Sequence, residues 1–83
     1  MITVSVRAYY RLHNPPRGFK PGRRFELAVE ENKTVAELVN QLLGIAENRP
    51  EMIIAVNGRV VISEDYILQA QDRVDLFPLV AGG

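Results

Sequence analysis

Apolar and polar positions alternate strictly at the start of the chain: Ile2, Val4, Val6 and Ala8 on one side, Thr3, Ser5, Arg7 and Tyr9 on the other. A period of two over this length predicts a half-buried β-strand. The pattern breaks at Leu12-His13-Asn14-Pro15-Pro16, and Gly18, Pro21 and Gly22 follow, so residues 11 to 22 read as a loop. Alternation resumes from Arg23 to Val29, with Phe25, Leu27 and Val29 on one side. Two strands around one loop predict an antiparallel hairpin with a long tip.

The period then changes. Val35, Leu38, Val39 and Leu42 recur at helical spacing and form one apolar stripe. Thr34 and Glu37 stand at capping-box spacing, so each side chain is placed to satisfy a free backbone donor at the helix start. Gly44 is placed to end the helix in the left-handed conformation, with Ile45 packing back on the last turn. Met52 to Val56 is a short, dense apolar run that suits a central strand. Asn57-Gly58 is a strong hairpin signal, because both positions tolerate positive φ. Arg59 to Ile62 returns as a brief strand, and Ser63 to Gln71 has no clear period. Asp72 to Leu79 reads as a last strand, with Val74 and Leu76 alternating against Arg73, Asp75 and Phe77.

The predicted order is strand, strand, helix, strand, strand, strand. One amphipathic helix on a mixed sheet makes a two-layer α+β domain. An economical arrangement pairs the first and last strands in parallel at the centre, with the hairpins outside. That is the β-grasp, ubiquitin-like architecture. It predicts a β-grasp domain over 1–79 and a flexible Gly-Gly tail over 80–83, where side chains are too small to pack.

Composition narrows the function classes. At 83 residues with 47% hydrophobic content, the chain suits one small globular domain. No apolar run approaches the eighteen or so residues of a membrane span. Met1-Ile2-Thr3-Val4 runs straight into strand-like sequence, which reads as no signal peptide and a cytoplasmic protein. With no cysteine, the chain has no disulfide, no cysteine-based zinc site and no cysteine nucleophile. His13 is the single histidine and has no second ligand near it in sequence, so no metal site is expected.

Net charge is zero, but Arg7, Arg11, Arg17, Lys20, Arg23 and Arg24 all precede the first acid, Glu26. Such a segment suits an anionic partner or a solvated loop. It lacks the repeated aromatics of a single-strand binding platform, which counts against nucleic acid. Glu30-Glu31 and Glu64-Asp65 read as solvated turn charges.

These residues carry a family resemblance. The ending Asp72-Arg73-Val74-Asp75-Leu76-Phe77-Pro78-Leu79-Val80-Ala81-Gly82-Gly83 resembles the MoaD/ThiS sulfur carriers, which include the small subunit of molybdopterin synthase. Val56-Asn57-Gly58 is similar to that family's turn, and Thr34-Val35-Ala36-Glu37-Leu38 to its helix start. Two departures from the pattern stand out. Gln71-Asp72 stands where the family has Gly-Asp, and Leu79 and Ala81 replace a Pro and a Ser of the molybdopterin branch.

The resemblance implies that Gly83 carries the chemistry. Its carboxylate would be adenylated by a MoeB/ThiF-like enzyme using ATP. A persulfide donor would then convert it to a thiocarboxylate. The acceptor would be a molybdopterin synthase large subunit or another sulfur acceptor, in molybdopterin or tungstopterin synthesis. No permanently bound cofactor is implied, and the chain would be a carrier or small non-catalytic subunit. Gly82 and Gly83 lack a Cβ, which suits passage through a narrow channel. Phe77, on the face opposite Val74 and Leu76, is expected to be exposed beside the tail and to anchor a partner, together with Pro78, Leu79, Val80 and Ala81. The other reading of Phe77 has it covered by the Tyr66 region or by the long loop. Competing functions are a ubiquitin-like modifier conjugated through Gly83, a thiamine-pathway sulfur carrier, and a plain β-grasp interaction module using the basic loop.

Overall fold

In the computed structural model the described residues are 1–9, 12, 15–43, 52–61 and 63–78. Five strands and one helix follow in chain order: β1 (Ile2–Ala8), β2 (Phe25–Val29), α1 (Val35–Leu43), β3 (Met52–Val56), β4 (Arg59–Val60) and β5 (Arg73–Pro78). They form a single mixed sheet in the order β2-β1-β5-β3-β4. β1 and β5 run parallel, while the pairs β1–β2, β3–β5 and β3–β4 are antiparallel. This is the β-grasp arrangement, with the first and last strands paired inside the sheet and the hairpins to either side.

Alternation decides which face is dry. Val4, Val6 and Ala8 of β1 and Val74 and Leu76 of β5 are fully buried. They meet Val35, Leu38, Val39 and Leu42 of α1, together with Ile54, Val56 and Leu68. α1 thus lays one stripe on one face of the sheet. Removing a fully buried leucine such as Leu38 or Leu76 leaves a cavity, a change that costs about 2–5 kcal/mol.

The start of α1 is fully accounted for. Thr34 Oγ1 accepts from the Glu37 amide at 3.2 Å, and Glu37 Oε1 accepts from the Thr34 amide at 3.0 Å. The two remaining free donors, Val35 N and Ala36 N, donate to Tyr66 O and Glu64 O at 2.9 and 3.0 Å. These two bonds pin the irregular segment 63–68 to the helix. The Thr34–Ile67 bridge and a Leu68 N to Lys33 O bond add to them. Hydrogen bonds from Thr34 hold the exposed Glu37 carboxyl below its ordinary value.

Several boundaries shift from the sequence reading. β2 begins at Phe25 rather than Arg23, because Arg23 donates to Lys20 O in a turn of the preceding loop. β4 is two residues long, although Val61 N still reaches Ile54 O at 2.8 Å. β5 spans Arg73–Pro78 instead of beginning at Asp72. Asn57 and Gly58 both have positive φ, 54° and 84°, as a two-residue hairpin turn of this type requires. Gly44, Ile45, Ile62 and Leu79, with their predicted roles, lie outside the described residues.

Asp72 ties this end of the sheet together. It is buried, and its carboxylate accepts from Asn57 Nδ2 at 2.9 Å, Tyr66 Oη at 3.0 Å and the Gln69 amide at 2.8 Å. Partial burial first, and the bond to Asp72 second, push the Tyr66 hydroxyl above its ordinary value.

Candidate functional site

The route to the C-terminus is set by β5. Its parallel register with β1 places Leu76 beside Ala8, and its antiparallel register with β3 places Phe77 beside Ile53 and Pro78 beside Met52. The chain therefore leaves the sheet at the pole where β1 also ends. The helix-free face there carries a cross-strand row of Tyr9, Phe77 and Ile53. The Tyr9 and Phe77 rings stack with centroids 5.5 Å apart and planes 22° from parallel. A pair of this kind contributes about 0.5–1.5 kcal/mol beyond the area it buries. Phe77 is half-buried, while Tyr9 and Ile53 are exposed.

One row further back the face becomes charged. Asp75 is buried on the side away from the core, because two arginines cover it. Arg24 Nη2 lies 2.5 Å from Asp75 Oδ1, and Arg7 Nε lies 3.2 Å from the same oxygen. Arg24 also donates through Nη1 to Ser5 Oγ at 3.1 Å and Ser5 O at 3.3 Å. The Arg7 contact is an ion pair without hydrogen-bond alignment, so its buried Nε has no hydrogen-bond acceptor. The Arg7 guanidinium carbon sits 5.9 Å from the centroids of both Tyr9 and Phe77. A cation over an aromatic at an exposed site contributes about 0.5–1 kcal/mol. Asp75 thus sets the arginines, and Arg7 in turn flanks the aromatic pair at the root of the tail.

A family model described as the ThiS family matches residues 14–83, which includes α1, the Asn57-Gly58 turn, β5 and the terminal Gly82-Gly83. The chain belongs to the ThiS family. No curated protein sequence matches it significantly. Among solved structures, it is similar to a chain in the protein–protein complex of subunits 1 and 2 of molybdopterin-converting factor from Helicobacter pylori 26695. The TM-score is 0.59 at 22% identity, over 99% of this chain and 100% of that one. That likeness is one of fold.

For this ThiS-family chain, the structure brings only part of the predicted site into view. Phe77 and Pro78 close β5 on the tail side. Leu79, Val80, Ala81, Gly82 and Gly83 lie outside the described residues. Phe77 is half-buried rather than bare, and Tyr9, brought over by the parallel β1–β5 register, stacks on it. Asp75 does lie opposite the core, as alternation requires, but it is buried there by Arg7 and Arg24. Sequence reasoning missed Tyr9, Arg7, Arg24 and Asp75 as one constellation. The available signal was the shared parity of Arg7 and Tyr9 on β1, which places both on the face of Asp75 and Phe77.

Other chemistry is sparse among the described residues. They contain no group of three His, Asp or Glu side chains able to hold a metal. They contain no helix long and apolar enough to cross a membrane. A cleft of about 860 Å³, lined in part by Val56, Val60, Val61 and Tyr66, lies at the opposite pole, beside the start of β5. Its position separates it from the end of β5 and from the Tyr9–Phe77 pair.

Proposed function

We propose that this chain carries sulfur as a thiocarboxylate on Gly83. The observation that carries the reading is the family match, which runs through Gly82 and Gly83 on a β-grasp body. A carboxylate is a poor acyl donor because it lacks a good leaving group. Adenylation by a MoeB/ThiF-like enzyme solves this: the Gly83 carboxylate attacks the α-phosphorus of ATP, and pyrophosphate leaves. A persulfide sulfur then attacks the acyl carbon and AMP departs with the C–O electrons. A partner thiol reduces the resulting S–S bond, forming a disulfide and freeing the thiocarboxylate.

The body supplies recognition, and the partners supply the catalytic groups. Phe77 and Pro78, with Leu79, Val80 and Ala81 beyond them, form the docking root for Gly82-Gly83. In this reading residues 1–79 form the body and residues 80–83 the segment that it delivers. The acceptor is a large subunit of the molybdopterin synthase type. The Helicobacter pylori neighbour, a chain in a complex of two subunits of molybdopterin-converting factor, supports that choice.

Intact-protein mass spectrometry after incubation with the cognate adenylating enzyme, ATP and a persulfide donor tests the reading. The expected result is replacement of one oxygen by sulfur, located at Gly83 and absent from a chain lacking Gly82-Gly83. No replacement, with an enzyme that loads another carrier, overturns it.

A further inference from the structure

Residues 15–24 of the connection between β1 and β2 are built to a definite shape. Phe19 N donates to Pro16 O at 3.0 Å, Arg23 N to Lys20 O at 3.0 Å, and Gly22 N to Ala8 O at 2.8 Å. Phe19 meets Phe25 edge-on, with centroids 5.6 Å apart, and both pack against the core. Gly18 and Gly22 have φ of 80° and 81°, which favours glycine at both. A Cβ on Gly22 would stand 3.2 Å from Tyr9 Cε1, so the loop lies close against the ring that stacks on Phe77. Parallel β1 and β5 end at the same pole, so this loop flanks the tail root.

Its charge is one-sided. No carboxylate occurs between Met1 and Arg24. Arg24 is committed to Asp75, but Arg17, Lys20 and Arg23 are exposed and form no ion pair among the described residues. With Phe19 and Phe25 they line a cleft of about 270 Å³. Turns already fix the backbone that carries these three cations, so less backbone order is left to impose when they meet an anion.

We propose that this loop is a cationic docking surface for a carboxylate-rich segment of the adenylating enzyme that takes the C-terminal tail. The proposal rests on the tail-delivery reading above. Position favours a protein occupant, since whatever takes the tail must approach the same pole. The aromatics favour it too: Phe19 and Phe25 meet edge-on and pack against the core, so they do not form the row of parallel ring faces on which bases stack. Cations so placed steer encounter and set orientation, an effect of about 10- to 1000-fold on association rates at low salt.

Two measurements on the full chain decide it. In the first, deca-glutamate peptide is titrated into the protein, with backbone amide shifts followed by NMR from about 50 to about 200 mM salt. Shifts confined to the loop, lost in the R17E/K20E/R23E triple variant and reduced in R17Q/K20Q/R23Q, are expected. Absence of shifts, or tighter binding of an oligothymidylate than of the peptide, overturns the assignment. In the second, wild type and triple variant are compared as substrates of the adenylating enzyme. A KM about tenfold higher with kcat retained is expected, and an unchanged KM overturns the proposal. If the wild-type chain gains no sulfur at all, the carrier reading fails, and the peptide titration still decides the loop.

Discussion

Gln71→Gly should make this protein more stable, although it removes a side chain. Gln71 precedes β5 with φ of 67°, in the left-handed region. It is held there because its amide donates to Thr3 O at 2.7 Å, while Asp72 must turn inward to its three donors. An L-residue in that conformation costs about 1–2 kcal/mol, a cost glycine escapes. Glycine gives back about 0.5–1 kcal/mol through the greater freedom of its unfolded chain. The Gln71 side chain is exposed, so its loss removes little packing. The difference leaves Gln71→Gly ahead by about 0.5–1 kcal/mol, which raises Tm by about 2–8 °C for a domain of this size. Urea unfolding followed by circular dichroism reads the midpoint directly, with an unchanged m-value as the check that only stability moved. Gln71→Ala is the control: it keeps the Cβ and the strain, and should stay within about 0.5 kcal/mol of wild type. A lower midpoint for the glycine variant, or an equal gain for alanine, would refute the reasoning.

Three further outcomes follow from the same structure. Asp72→Ala strips Asn57, Tyr66 and the Gln69 amide of a charged acceptor and should cost about 3 kcal/mol, seen as a lower urea midpoint, with Asp72→Asn costing less. Phe77→Ala loses the Tyr9 stack and part of the tail root, so stability should fall by about 1–2 kcal/mol and KM with the adenylating enzyme should rise several-fold. A retained KM would detach Phe77 from docking. The depressed carboxyl of Glu37 favours the folded state above its ordinary value of 4.5, and that contribution is lost as pH falls through the lower folded value. Melting temperatures measured from pH 7 down to about pH 3 should show a smaller acid decline for Glu37→Gln than for wild type, since Gln keeps an acceptor for the Thr34 amide while removing the titration.

The legible part of the fold was the part written in local period. β1 and α1 carry clean alternation and a clean helical stripe, and each interior residue they named is buried except Ile2, which is half-buried at the start of β1. The Asn57-Gly58 turn was legible because two successive positive φ angles leave few residue choices. What escaped was non-local. Asp75 looks like an ordinary outward-facing acid until Arg7 and Arg24, the latter 51 positions away in sequence, close over it. Phe77 could not be assigned a cover without knowing that the first and last strands pair in the register that brings Tyr9 alongside. The segment 63–71 has no period because backbone carbonyls anchor it to the start of α1. The departure at Gln71 was visible in the sequence, but its meaning came only with its φ angle.

Parallel pairing of β1 and β5 also has a mechanical meaning. The N-terminus enters β1 at one pole, and the tail leaves β5 at the other. A pull on Gly83 against a tether at Met1 therefore loads the hydrogen bonds between β1 and β5 in shear, all at once. An antiparallel pair pulled from adjacent ends would instead open one bond at a time. A machine that drags this chain by its tail against an anchored N-terminus meets its strongest ladder first, whereas a cargo fused ahead of Met1 stays a full strand length, roughly 20 Å, from the working end.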